Sequence, residues 1–132
     1  MHVRSGADRA SAAHDGYRAL PGSPVHARLI ERMAGGSFRI VDEVTGAGSH
    51  GVRSALRVHP ALAARLEGED RVLLEGDGLR VALVRESGPP FALEDGWYFP
   101  RMGERVPCSI VVQRAEASLP VRLACRIEKL VP

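Results

Sequence analysis

Val121-Arg122-Leu123-Ala124-Cys125-Arg126-Ile127-Glu128 decides the fold. Val121, Leu123, Cys125 and Ile127 point one way, and Arg122, Ala124, Arg126 and Glu128 point the other. A period of two is the signature of a strand with one buried face. Working outward, 106–112 repeats the pattern, with Val106, Cys108, Ile110 and Val112 on one face. In 50–59, Val52, Leu56 and Val58 alternate with Arg53, Ala55 and Arg57. In 37–44, Phe38, Ile40 and Val44 share a phase with Asp42, and in 25–29, Val25, Ala27 and Leu29 alternate with His26 and Arg28. Val72-Leu73-Leu74 and Leu79 to Val84 flank Glu75-Gly76-Asp77-Gly78, a hairpin whose glycines supply positive φ.

Further breaks fall at Pro21-Gly22, Gly35-Gly36, Gly46-Ala47-Gly48, Gly88-Pro89-Pro90 and Gly103. The pattern predicts about eight or nine strands at a spacing of about 8–14 residues, an all-β chain built as an antiparallel sandwich or barrel. The single helical candidate is Pro60 to Leu66, rich in alanine and leucine but shorter than a helix needs to stand alone. At most one short helical turn is expected.

The chain has 132 residues and is 45% hydrophobic, enough for one domain, 1–132, with its own core. Eighteen basic and sixteen acidic residues nearly cancel, and Lys129 is the only lysine. The arginines are spread along the strands, so no dense basic stripe points to nucleic acid. No apolar run approaches the roughly 18–20 residues of a membrane span, and Met1 to Gly6 carries no apolar leader core. The chain as written is expected in the cytosol, unless a leader belongs to an upstream part.

Cys108 and Cys125 lie on apolar phases and form no CxxC pair. They are expected as reduced core thiols, with a disulfide between neighbouring strands as the alternative. None of the five histidines forms an HExxH or an i, i+4 pair, and no metal or cofactor is expected. His14 and His26 approach each other across a turn if 8–14 pairs with 25–31. Each then serves as a ligand or hydrogen-bonds a backbone carbonyl. His59 precedes Pro60, which holds it extended and ends a strand.

His14 and Tyr17 combine a base and an acid suited to proton abstraction next to a carboxylate. Asp15-Gly16 between them reads equally as a turn in which Asp15 caps backbone amides. Trp97-Tyr98-Phe99-Pro100 reads as a sugar-stacking platform or as a core plug beneath a loop. No GxSxG, GxGxxG or P-loop is present.

The series His14-Asp15-Gly16-Tyr17-Arg18, Leu20-Pro21-Gly22, His26-x-Arg28, Ile40-x-Asp42-Glu43-x-x-Gly46-x-Gly48-x-His50, Val58-His59-Pro60 and Gly96-Trp97-Tyr98-x-Pro100-x-x-Gly103 resembles the C-terminal region of heparinase II/III-like proteins. These are polysaccharide lyases and their relatives in bacteria, and the likeness spans about residues 10 to 128. It implies a C-terminal β-sandwich that follows an α/α toroid. It further implies β-elimination of uronate-containing polysaccharide by groups held mainly on the toroid, and a periplasmic parent. In that family a further histidine comes from the early sandwich, and some members hold a structural metal there.

This chain shows no long helical stretch and reads as beginning after the early sandwich strands. No catalytic residue is therefore assigned, and His14 and Tyr17 stand only as candidates. Trp97, Tyr98 and Arg101 are the candidate substrate contacts, because an arginine fork suits carboxylate and sulfate. The expected roles are a sandwich inactive alone, a module for acidic glycans, or an assembly domain. A sandwich lacking its first strands exposes an edge, which favours a homodimer.

Overall fold

A computed structural model of the protein describes residues 2–130. Eleven antiparallel strands run in chain order: β1 (His2–Ser5), β2 (Arg9–His14), β3 (Val25–Arg32), β4 (Phe38–Thr45), β5 (Ser49–Arg57), β6 (Ala63–Glu67), β7 (Arg71–Gly76), β8 (Leu79–Ser87), β9 (Ala92–Tyr98), β10 (Val106–Ser118) and β11 (Val121–Lys129). One sheet has eight strands in the order β1-β2-β3-β4-β11-β8-β7-β6, and the other has three in the order β5-β10-β9. The only helical element among the described residues is a 3-10 turn at Ala34–Gly36. The all-β expectation holds, and the two layers make a sandwich of unequal width.

The layers meet over Val58, Val72, Leu74, Leu83, Phe91, Val111 and Cys125, with Ile40, Leu56, Leu93 and Ile127 packed around them. The alternation of 121–127 is observed as read, since Leu123 and Cys125 line the space between the sheets. Ala124, on the opposite face, is buried as well, because β11 is a central strand between β4 and β8.

One candidate is settled and one reading is corrected. The segment 60–66 is not helical. Leu62 closes a turn onto the His59 carbonyl, and β6 starts at Ala63 and pairs with β7. Pairing to a buried neighbour and packing of Leu62 and Ala64 on the core outweigh a weak local helix preference. The second concerns β10, where the expected core face is Val106, Cys108, Ile110 and Val112. The residue that joins the core is Val111, which lies opposite Leu56 of β5 and Leu93 of β9. Ile110 and Val112 point away from the larger sheet yet are only 8% and 1% exposed. In register they sit beside Arg57 and Glu94, and beside Ala55 and Ala92, whose side chains flank them on the outer face.

Both cysteines are free thiols. Cys125 is buried in the core as expected, and burial pushes its thiol up to about 11. Cys108 lies half-buried opposite Gly96 on the outer face of the smaller sheet. Since only the thiolate reacts, Cys125 is expected to alkylate more than about a hundredfold more slowly than Cys108 in the native protein at mildly alkaline pH. Mass spectrometry of the time course reads this, and comparable rates would contradict a closed core.

Candidate functional site

The histidine pair is built by register. Antiparallel pairing of β2 with β3 sets His14 opposite His26, and pairing of β3 with β4 sets Arg28 opposite Asp42. Residues two apart share a face, so His14, His26, Arg28 and Asp42 gather on the inner face of the larger sheet. His26 Nε2 lies 2.8 Å from Asp42 Oδ1, and His26 Nδ1 lies 3.3 Å from His14 Nε2. The Gly16 amide donates to His14 Nδ1 at 3.3 Å. Arg28 grips Asp42 with a fork, Nε to Oδ1 at 2.8 Å and Nη2 to Oδ2 at 3.0 Å. Ser54 Oγ of β5 donates to Asp42 Oδ2 at 3.5 Å, which ties the smaller sheet to the same carboxylate.

These bonds set the tautomers. His14 Nδ1 accepts from Gly16, so the neutral ring carries its proton on Nε2 and donates to His26 Nδ1. His26 then carries its proton on Nε2 and donates to Asp42. The polarity runs one way, from the Gly16 amide through two imidazoles to the buried carboxylate. Burial raises the Asp42 carboxyl, but hydrogen bonds from Arg28 and His26 outweigh it and hold the group below its ordinary value.

Neither histidine bonds a backbone carbonyl, contrary to one of the two readings of the pair. Each uses both ring nitrogens within the network. The turn reading of Asp15-Gly16 is observed, with the Arg18 amide donating to the Asp15 carbonyl at 3.0 Å. The Asp15 carboxylate caps no amide; it faces Arg18 at 3.6 Å. The Tyr17 ring lies 5.2 Å from that of His14, so the structure brings these two candidates together. The Arg28 guanidinium beside Asp42 opposes a bound cation. Among the described residues no cluster of three or more His, Cys, Asp or Glu is placed to hold a metal.

The network forms one wall of a cleft of about 500 Å³. Its opposite wall is β5 from His50 to Ala55, and the loop carrying Tyr17, Leu20 and Pro24 rims it. Gly22 pins that loop. Its φ is +84°, its carbonyl accepts from the Ala47 amide at 3.0 Å, and a Cβ there would fall 1.8 Å from the Ala47 oxygen. Only glycine allows so close a backbone approach at that φ.

Trp97, Tyr98 and Arg101 lie elsewhere, on β9 and the turn after it, and the structure does not bring them to the histidines. Trp97 and Phe99 are exposed, so the core-plug reading fails for both. The Arg105 guanidinium carbon sits 4.1 Å above the Trp97 ring, a cation–π contact. Tyr98 packs against His59, with ring centres 5.1 Å apart, and Arg101 pairs with Glu104 at 3.4 Å. Sequence reasoning missed two residues. Asp42 is the hub of the network, and its acid in the apolar phase of 37–44 was the available signal. Arg105 carried no signal, because its place over Trp97 depends on how a loop folds back.

A family model described as heparinase II/III-like, C-terminal, matches residues 2–126. No curated protein matches the sequence. Among solved structures, a heparinase III gene product superposes with a TM-score of 0.74 at 19% identity, covering 92% of this chain and 19% of its own. The heparan sulfate lyase HepC from Pedobacter heparinus superposes with a TM-score of 0.78 at 10% identity, covering 99% of this chain and 21% of its own. Such likenesses show a shared fold. The chain spans about a fifth of the length of these solved relatives.

Proposed function

The chain belongs to the heparinase II/III-like family, whose C-terminal domain is matched over residues 2–126, and from that premise we propose that it is the C-terminal β-sandwich portion of a polysaccharide lyase that does not turn over substrate alone. The family match is the observation that carries this reading. The reaction removes the proton next to a uronate carboxylate and breaks the adjacent glycosidic C–O bond. It needs a base with a free lone pair, a neutraliser of the carboxylate and an acid for the leaving oxygen, all preorganised.

The network here is closed on itself, which supports the non-catalytic reading. His14 Nδ1 takes the Gly16 amide, His26 is bonded at both nitrogens, and the Arg28 fork is spent on Asp42. The catalytic groups then lie outside these 132 residues. His14 and Tyr17 serve to fix the rim of the cleft. Given heparan sulfate, the protein alone is expected to produce no unsaturated uronate, read as ultraviolet absorbance.

A second reading is contact with acidic glycan at Trp97, and Arg105 favours it. Arg105 makes no ion pair among the described residues and lies over one face of a partly exposed indole. Tyr98 and Arg101 contribute less in this reading, since each already has a partner. Trp97 is the only tryptophan, so its fluorescence reports the site directly. Heparan sulfate oligosaccharide is expected to shift the emission at millimolar concentration or below. Arg105→Ala is expected to weaken that response about tenfold, the scale of one charge-assisted contact. An unchanged titration curve would set this reading aside. A homodimer would use the β1 edge, whose residues are all exposed, and light scattering would show a strict monomer if it does not.

A further inference from the structure

We propose that His14 and His26 form a pH-sensitive latch on the loop between β2 and β3. The latch is closed when both rings are neutral, and it releases the Gly16 end of the loop when the pair takes up one more proton. The loop is tied down at two points. At its start the Gly16 amide donates to His14 Nδ1 at 3.3 Å, and near its end the Gly22 carbonyl accepts from the Ala47 amide at 3.0 Å. Between them its backbone bonds are internal: the Arg18 amide to the Asp15 carbonyl, Leu20 to Tyr17 and Ser23 to Leu20. The Ala47 tie joins backbone to backbone and does not titrate. The Gly16 tie ends on an imidazole.

Counting protons shows why that tie is the one to fail. Two neutral imidazoles carry one N–H each. The Gly16 N–H needs a lone pair on His14 Nδ1, and Asp42 takes the proton on His26 Nε2. The second ring proton sits between the rings, on His14 Nε2, and fills the remaining contact. A third proton placed on His14 Nδ1 meets the Gly16 N–H head on. Placed on His26 Nδ1, it needs the His14 Nε2 lone pair, so His14 moves its own proton to Nδ1 and again meets Gly16. Both routes break the same bond. Asp42 does not absorb the proton, because both arms of Arg28, His26 and Ser54 already point at it and hold it ionised.

The surroundings let protons in. His14 lines a pocket of about 160 Å³ whose other polar walls are His2 from β1 and Asp15 and Arg18 from the loop. Asp15 and Arg18 face each other at 3.6 Å. On the opposite side the pair meets Arg28 of β3 and Asp42 of β4, and His50 of β5 stands across the cleft. Arg53 of β5 is turned to Glu94 on the outer face. The Tyr17 ring packs on His14 with centres 5.2 Å apart, so the latch also carries the rim of the cleft.

The sign follows from the count. The closed state holds one proton fewer than the released state, so release grows as pH falls. The span is about pH 8 to 5, where imidazoles change charge. Loss of one hydrogen bond moves the closed-to-released ratio by about tenfold.

Nitrogen–proton NMR of the labelled 132-residue protein between about pH 8 and pH 5 tests this. At the alkaline end both rings are expected as the Nε2–H tautomer. On acidification the amides of Gly16 to Leu20 are expected to shift together with the His14 ring nitrogens and to lose about tenfold in exchange protection, while Ala47 keeps its own. His14→Gln, which takes up no proton, is expected to abolish the response, and His2→Gln and His50→Gln to leave it. The ring nitrogens identify the titrating histidine in the unaltered protein, so the result does not hang on a variant that fails to fold. An Nδ1–H tautomer of either ring at the alkaline end would overturn the proposal. So would a loop response that disappears in His2→Gln or His50→Gln, or Gly16 to Leu20 amides that stay unchanged down to about pH 5.

Discussion

Asp42→Ala is expected to destabilise the protein by about 2–4 kcal/mol. The carboxylate takes both arms of Arg28, the His26 proton and the Ser54 hydroxyl. Removing it leaves a guanidinium, an imidazole N–H and a hydroxyl without their acceptor. Losing one partner of a buried pair costs about 3–5 kcal/mol, and Arg28 is 36% exposed, so water recovers part of that. Asp42→Asn keeps the shape and one acceptor and is expected to lose about half as much. Urea unfolding followed by Trp97 fluorescence measures both. An effect of Asp42→Ala below about 0.5 kcal/mol, the level of an exposed pair, would show that the network does not hold the sheet together.

The same carboxylate sets an acid limb. Arg28 and His26 hold Asp42 below its ordinary value in the folded protein, so the folded state binds that proton less tightly than the unfolded one. The resulting stability is complete above the ordinary aspartate value of about 4 and is lost as pH falls through the lower folded value. Glu86, held down by the Arg39 fork and by Arg126, acts in the same direction from the opposite face of the sheet. Asp42→Asn is therefore expected to flatten the acid limb in part.

Phe91→Ala is expected to cost about 3–5 kcal/mol. Phe91 is buried where the sheets meet, among Val58, Val72, Leu74, Leu83, Val111 and Cys125. It enters from the short connection between β8 and β9, and its amide donates to the Glu69 carbonyl at 3.1 Å. The rigid walls of two sheets limit collapse into the space it leaves. A loss under about 1.5 kcal/mol in thermal or urea unfolding would mean the layers close over the gap.

The strands of the larger sheet were legible where one face is wet. The alternation of 25–29, 37–44 and 121–127 needs no tertiary knowledge, whereas the pairing of 8–14 with 25–31 stood only as a condition, which the β2–β3 register meets. The meeting of His14 and His26 followed from that condition alone. The role of Asp42 was half visible, since an acid in an apolar phase asks for a partner, but naming Arg28 required the β3–β4 register. β9 was hidden because Glu94, Asp95 and Gly96 break its pattern. Gly96 is there because Ile110 packs against it, and a Cβ would fall 2.3 Å from the Ile110 Cδ1 atom. The 106–112 reading went wrong because β10 is apolar on both faces where it runs through the middle of its sheet. Alternation names a buried face only when the other face is polar.

The central claim is that these residues form a lyase-family sandwich whose network is structural rather than catalytic. The most direct measurement is ultraviolet absorbance from unsaturated uronate when the 132-residue protein, at concentrations approaching that of substrate, is incubated with heparan sulfate beside an active lyase as control. A trace indistinguishable from buffer is predicted. A steady rise that disappears in His14→Ala or Tyr17→Phe would contradict it and make the network an active site in its own right.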